Sequence, residues 1–168
     1  MSTSTEREDL VTVLDRHRYF LRHTARELTD EQAAARTTVS ELCVGGLIKH
    51  VTLVESQWAK FIVDGPSAMA SPSDEAKNVW AGGFQMLPGE TLAGLLDQYE
   101  KVAAQTNELV RTLPDLDATQ PLPPAPWFPP GAKWTARHVL LHILAETSQH
   151  AGHADIIREA IDGAKTMG

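Results

Sequence analysis

Cysteine is all but missing from this chain: Cys43 is the only one. No internal disulfide can form, which excludes a secreted disulfide scaffold and favours a reducing compartment. Long apolar runs are missing too. No stretch approaches the roughly 18 consecutive apolar residues of a membrane span. The start, MSTSTEREDL, has no basic segment followed by an apolar one and does not read as a secretory signal. Positive charge is scarce, with 15 Lys and Arg against 22 Asp and Glu and a net charge of -7. That balance is a poor match for nucleic acid or an anionic membrane surface. The expectation is a cytoplasmic protein with no nucleic-acid or membrane partner. Strand-like alternation longer than a few residues and repeats of fixed period are absent as well.

What is present is a globular composition over 168 residues, 42% of them apolar, which suits one domain spanning 1–168. Apolar residues recur at helical spacing in four long segments. The first runs from about Glu6 to Leu28 and places its charged residues on the face away from the core. Thr29-Asp30-Glu31-Gln32 reads as a capping box opening a short turn through Ala35. The second, after Ser40, runs from about Glu41 to Val63. Gly45 and Gly46 weaken it locally but let another backbone approach closely. From Asp64 to Gly89 the chain reads as a loop with one turn near Asp74 to Val79, packed down by Trp80, Phe84, Met86 and Leu87. Thr91 opens the third helix, to about Leu113. A stiff proline-rich strap follows, with Trp127 and Phe128 in it, and Thr135 caps a fourth helix to about Asp162, closed by Gly163. Four long helices joined by loops predict an all-α fold, a four-helix bundle. The connections after the second and third helices are long, so simple up-down topology is not required.

Histidine is the informative residue. Of seven, four lie between 138 and 153. His138, His142, Glu146 and His150 fall four apart, and each such step turns the helix by about 40°. With His153 they share one side, within about 120°. Metal chemistry needs two or three N or O donors converging on a point, and neighbours at i and i+4 can supply two. A third must come from elsewhere. His50, among apolar neighbours in LIKHVTLVESQW, is the natural choice. A carboxylate on an apolar-flanked face is costly unless paired or ligating, which sets Glu146 apart.

Plainer roles suit other residues. His138, in the first turn, reads as structural or solvent-facing. His17 and His23, among Arg16, Arg18 and Arg22, read as a solvated face. Arg158 either binds a substrate carboxylate or pairs along its own helix with an acidic neighbour. Trp58, Trp80, Trp127, Phe128 and Trp134 either line a pocket or pack the core and strap. Cys43 reads as a small buried apolar residue and not a nucleophile.

The segments LIKHVTLVESQW and LLHILAETSQHAGHADIIRE together resemble the DinB/YfiT-like superfamily, and within it the actinobacterial branch of mycothiol-dependent enzymes, which includes maleylpyruvate isomerase and S-transferases. The resemblance covers nearly the whole chain. It implies a four-helix bundle holding a divalent metal, zinc or nickel, with mycothiol as cosubstrate. It implies His50, Glu146 and His150 as metal ligands, with His153 as a substitute ligand and His142 as a residue holding a ligand from outside. Many superfamily members carry a further His where this chain has Ala154. The Glu146 spacing fits the mycothiol branch instead. The implied activity is a detoxification-type thiol S-transferase joining a small-molecule thiol to an electrophilic substrate, in a protein of a superfamily that often forms a homodimer. A metal-dependent hydrolase, a non-enzymatic metal-binding stress-response or dimerisation module, and a metal-free hydrogen-bonded core are the alternatives.

Overall fold

Four helix starts are written in side chains that accept a backbone N–H from the first turn. Thr29 does this for Gln32, Cys43 for Gly46, Thr91 for Gly94 and Thr135 for His138. The computed structural model describes residues 3–69 and 82–166. Its elements are α1 (Thr3–Thr24), the short α2 (Asp30–Ala34), α3 (Val44–Asp64) running into a 3-10 turn (Gly65–Met69), α4 (Leu92–Thr112), β1 (Thr119–Pro121), β2 (Lys133–Thr135) and α5 (Ala136–Asp162). The predicted turn at Asp74 to Val79, and Trp80, lie outside the described residues.

The long helices close a ring in which α1 packs on α5, α5 on α3, α3 on α4 and α4 on α1. Two apolar clusters fill it. One takes Leu21, Val44, Leu47, Ile48, Val51, Leu92, Tyr99, Ala154 and Ile157. The other takes Val11, Leu14, Phe61, Val110, Val139, Leu140 and Ile143. The order in which each helix visits these clusters gives its direction. α1 and α5 run one way, and α3 and α4 the other. Parallel neighbours cannot be joined by a tight turn. The long connection between α3 and α4 is therefore a topological requirement, and the bundle is not simple up-down.

Between the clusters lies a polar waist. Arg18, fully buried, donates from Nε and Nη2 to the two Glu55 oxygens at 3.2 and 2.5 Å. Its Nη1 donates to Asp15 and to Asn107, both at 2.7 Å. This corrects the sequence reading, which put the charges of the first helix on its outer face. A guanidinium and a carboxylate buried together are tolerated because their polar atoms are met by partners.

Three boundaries differ from expectation. α1 ends at Thr24, not Leu28. Glu27 adopts a left-handed φ of 61°, and Arg158 Nη1 takes the carbonyls of Thr24 and Arg26 at 2.8 and 2.6 Å. α3 starts three residues late, capped by Cys43 instead of Ser40. The strap begins and ends in a two-stranded antiparallel ribbon, Thr119 opposite Thr135, too short to be signalled by alternation. After Gly163 the tail folds back: the Thr166 N–H donates to Asp155, its hydroxyl meets that of Thr24 at 2.9 Å, and Arg26 donates to the Lys165 carbonyl.

The two glycines of α3 do what their spacing allows. A Cβ on Gly46 would stand 1.9 Å from the Phe84 carbonyl oxygen, and one on Gly45 would stand 2.2 Å from the Met86 sulfur. The segment carrying Phe84 is seated directly on the first turn of α3.

Candidate metal centre

α3 and α5 face each other where their apolar stripes are interrupted. His50 follows Leu47 and Ile48 on the buried face of α3, and His150 lies between Thr147 and Ala154 on that of α5. Each is 8% exposed. One turn before His150, Glu146 points to the same place and keeps 29% of its side chain exposed. Glu146 Oε2 stands 3.5 Å from His150 Nε2 and 4.0 Å from His50 Nε2. One donor atom from each of the three residues lies within 4.8 Å of the others.

The donor set fits a divalent cation. Metal–nitrogen and metal–oxygen bonds of about 2.0–2.2 Å put tetrahedral donors roughly 3.3–3.5 Å apart. The Glu146–His150 spacing already meets that, and His50, 4.0 Å from Glu146, closes in by about half an ångström or more when a cation is held. Two imidazoles and a carboxylate suit a divalent transition metal and would leave room for a fourth ligand. The imidazoles are also in the right protonation state. Burial, helped by the neighbouring His150, pushes the His50 imidazolium down to about 4. Burial likewise lowers His142 and His150, against the upward pull of the Glu146 carboxylate. Neutral at pH 7, these rings carry lone pairs and not protons.

A family model for mycothiol S-transferase matches residues 9–163. The chain belongs to this family. It is thereby a member of the DinB/YfiT-like superfamily that the His50 and His150 segments resemble. A conserved protein from Enterococcus faecalis has the same fold, with a TM-score of 0.67 at 15% identity, over 94% of this chain and 97% of that one. No curated protein matches the sequence.

Around His50, Glu146 and His150, the remaining sequence candidates separate. His153 Nδ1 lies 3.3 Å from His150 Nδ1, against the ring nitrogen turned away from Glu146. It stands behind His150 rather than within the cluster. His142 Nε2 lies 3.9 Å from the other Glu146 oxygen, Oε1, and its ring meets Trp58 and Trp134. His138, exposed, stacks on Trp134. Trp134 in turn stacks on Trp58 and meets Phe128 edge-on. Trp127 is 75% exposed on the strap. His17 meets the Ser148 hydroxyl at 3.0 Å, and His23 stacks on Tyr19.

Arg158 is not brought to this cluster. Besides the α1 carbonyls, its guanidinium binds Asp162 at 2.8 Å, one turn along its own helix. Cys43 is buried, its sulfur accepting the Gly46 N–H at 3.3 Å. The sequence reading did not find that Phe84 lies face-on over His50, with ring centroids 3.9 Å apart and planes 22° apart. The only signal was the Gly45-Gly46 pair, which announces a close neighbour without saying which.

Among the described residues, no helix is long and apolar enough to cross a membrane.

Proposed function

We propose that this protein is a divalent-metal-dependent mycothiol S-transferase, using His50, Glu146 and His150 to hold zinc or nickel. The observation that carries the reading is the convergence of two buried neutral imidazoles and one carboxylate, from two helices, within 4.8 Å. Family membership supports the thiol, since mycothiol S-transferase is the family's description. When bound, the metal supplies a Lewis acid that favours a thiolate over a thiol at neutral pH.

The chain's own residues do the rest. His50 and His150 bind through Nε2, and Glu146 adds one negative charge from the exposed side. Glu146 is the donor nearest solvent, which makes its side the one open to a thiol and an electrophile. The mycothiol sulfur forms a bond to an electrophilic carbon. Its proton passes to solvent, and the electrophile's leaving group or π electrons take the displaced electron pair. His153, behind His150, occupies no position at the centre, which supports an open three-donor site over a closed four-donor one. The same openness would admit water, so the assay must separate thiol transfer from hydrolysis.

The test begins with protein purified without a metal-binding tag. About one zinc or nickel per chain by plasma mass spectrometry, lost in His50→Ala and His150→Ala, is the expected result. The loaded protein then consumes mycothiol and an electrophile such as a haloarene in equal amounts, and the stripped protein does not. Hydrolysis of the electrophile with no thiol consumed would replace this reading with a hydrolase. Absence of metal after reconstitution would sink it.

A further inference from the structure

An imidazole on a helix is free to turn about its last torsion, where the preferences are broad and roughly two-fold. A histidine ligand is useful only when something fixes its ring plane, usually a partner outside the coordination shell. For His150 that partner is His153. The His50 ring is packed between aromatic neighbours. The Phe84 ring covers one face at 3.9 Å, and the His150 ring meets it edge-on with centroids 4.8 Å apart. Phe84 also reaches His150, at 5.9 Å between centroids.

Phe84 is itself held by the helix that carries His50. Its carbonyl oxygen sits where a Cβ on Gly46 would be, and it takes the Cys43 S–H at 3.8 Å. The Lys49 ammonium donates to the next carbonyl, of Gln85, at 3.5 Å. Lys49 also pairs with Glu90 at 2.7 Å, and Glu90 accepts the Leu87 N–H at 2.7 Å. Cys43, Gly46 and Lys49 fall three apart, on one side of the first two turns of α3. The stretch from Cys43 to His50 therefore both presents a ligand and seats the segment that covers it.

We propose that Phe84 is a positioning residue of the metal centre: its ring, seated through Gly46, fixes the His50 imidazole in the plane that aims Nε2 at Glu146 and His150. This rests on the metal-centre reading above. Losing the ring removes the contact that covers one face of His50 and loosens its plane, so the site binds more weakly while its three donors remain. Phe84→Leu keeps apolar bulk and removes the flat face. Gly46→Ala keeps the Phe84 ring in the sequence, but its Cβ pushes the Phe84 backbone off α3.

The test measures zinc affinity by competition with a chromogenic chelator, together with the visible absorption of the cobalt-loaded protein. Phe84→Leu and Gly46→Ala are expected to weaken zinc binding by about tenfold, the scale seen when a ligand's outer partner is lost. They are also expected to alter the cobalt bands. Phe84→Tyr, which keeps the ring, should stay within about twofold of wild type and keep its spectrum. Affinity and spectrum unchanged in Phe84→Leu, whatever its melting temperature, would overturn the proposal while leaving the metal centre standing. A wild-type chain that binds neither ion would overturn both. Should neither weakened variant fold, the metal-free wild type still decides. Its His50 ring protons, assigned by their loss in His50→Gln, must be displaced upfield by the Phe84 ring current, and ordinary shifts would refute the stacking.

Discussion

At the residue scale the centre is defined by what burial does to two imidazoles, His50 and His150. His50 titrates near 4 when folded and near 6.5 when unfolded. Between those values the unfolded chain binds more protons than the folded one, so stability rises with pH across that window. The contribution is complete above about 6.5 and is lost as pH falls toward 4. Thermal melts of metal-free protein should therefore be flat from pH 7 to 8 and fall steeply below 6.5. In His50→Gln, which has nothing to titrate there, the slope should be visibly smaller. An equal slope in both proteins would mean that His50 is not the group responsible. The candidate residues were legible because four polar groups at i, i+4 spacing share one side of the last helix. Their outer partners were not: Phe84 lies 34 positions from His50 in sequence, and no local pattern joins them.

At the element scale, side-chain chemistry predicts helix starts better than helix ends. Thr29, Thr91 and Thr135 each accept the N–H expected of them. Gly163, at φ 77°, closes α5 in the left-handed conformation that favours glycine. The end of α1 was missed because it is set by Arg158, which reaches it from another helix. The start of α3 was missed because a sulfur caps it where a hydroxyl was expected. Thr135 matters most, since it ends β2 and caps the helix that carries Glu146 and His150. Thr135→Ala should cost about 1 kcal/mol, typical of an N-cap. That lowers the melting temperature by about 3 °C in a chain of this size. An unchanged melting temperature would show that the ribbon, not the cap, fixes the start of α5.

At the scale of the whole molecule, two apolar clusters meet at a charged layer. Fold class and the need for long connections were readable from periodicity and loop length. Which face of each helix meets which neighbour was not, and that is why Arg18 was assigned to water. Its spacing from Leu14 and Leu21 placed it on the inner face, but a charge there looks improbable until Glu55 is seen opposite. Breaking the pair by Glu55→Ala should destabilise by about 3–5 kcal/mol, because it strands a buried guanidinium. Replacing both, Arg18→Met with Glu55→Leu, should cost far less. Urea unfolding of the three proteins checks this. If the double replacement were as damaging as the single one, the loss would lie in packing rather than in the charge.

The folded-back tail has a practical side. Residues 164–166 tie the start of the α1–α2 turn to the last turns of α5 through Thr24, Arg26 and Asp155. A fusion partner, an affinity handle or a trimming protease acting at that end works on a clasp, not on a loose thread. Deleting the five residues from Ala164 onward should leave the bundle folded but speed amide exchange at the end of α1. A handle placed there would carry the same cost into every metal measurement made on the protein.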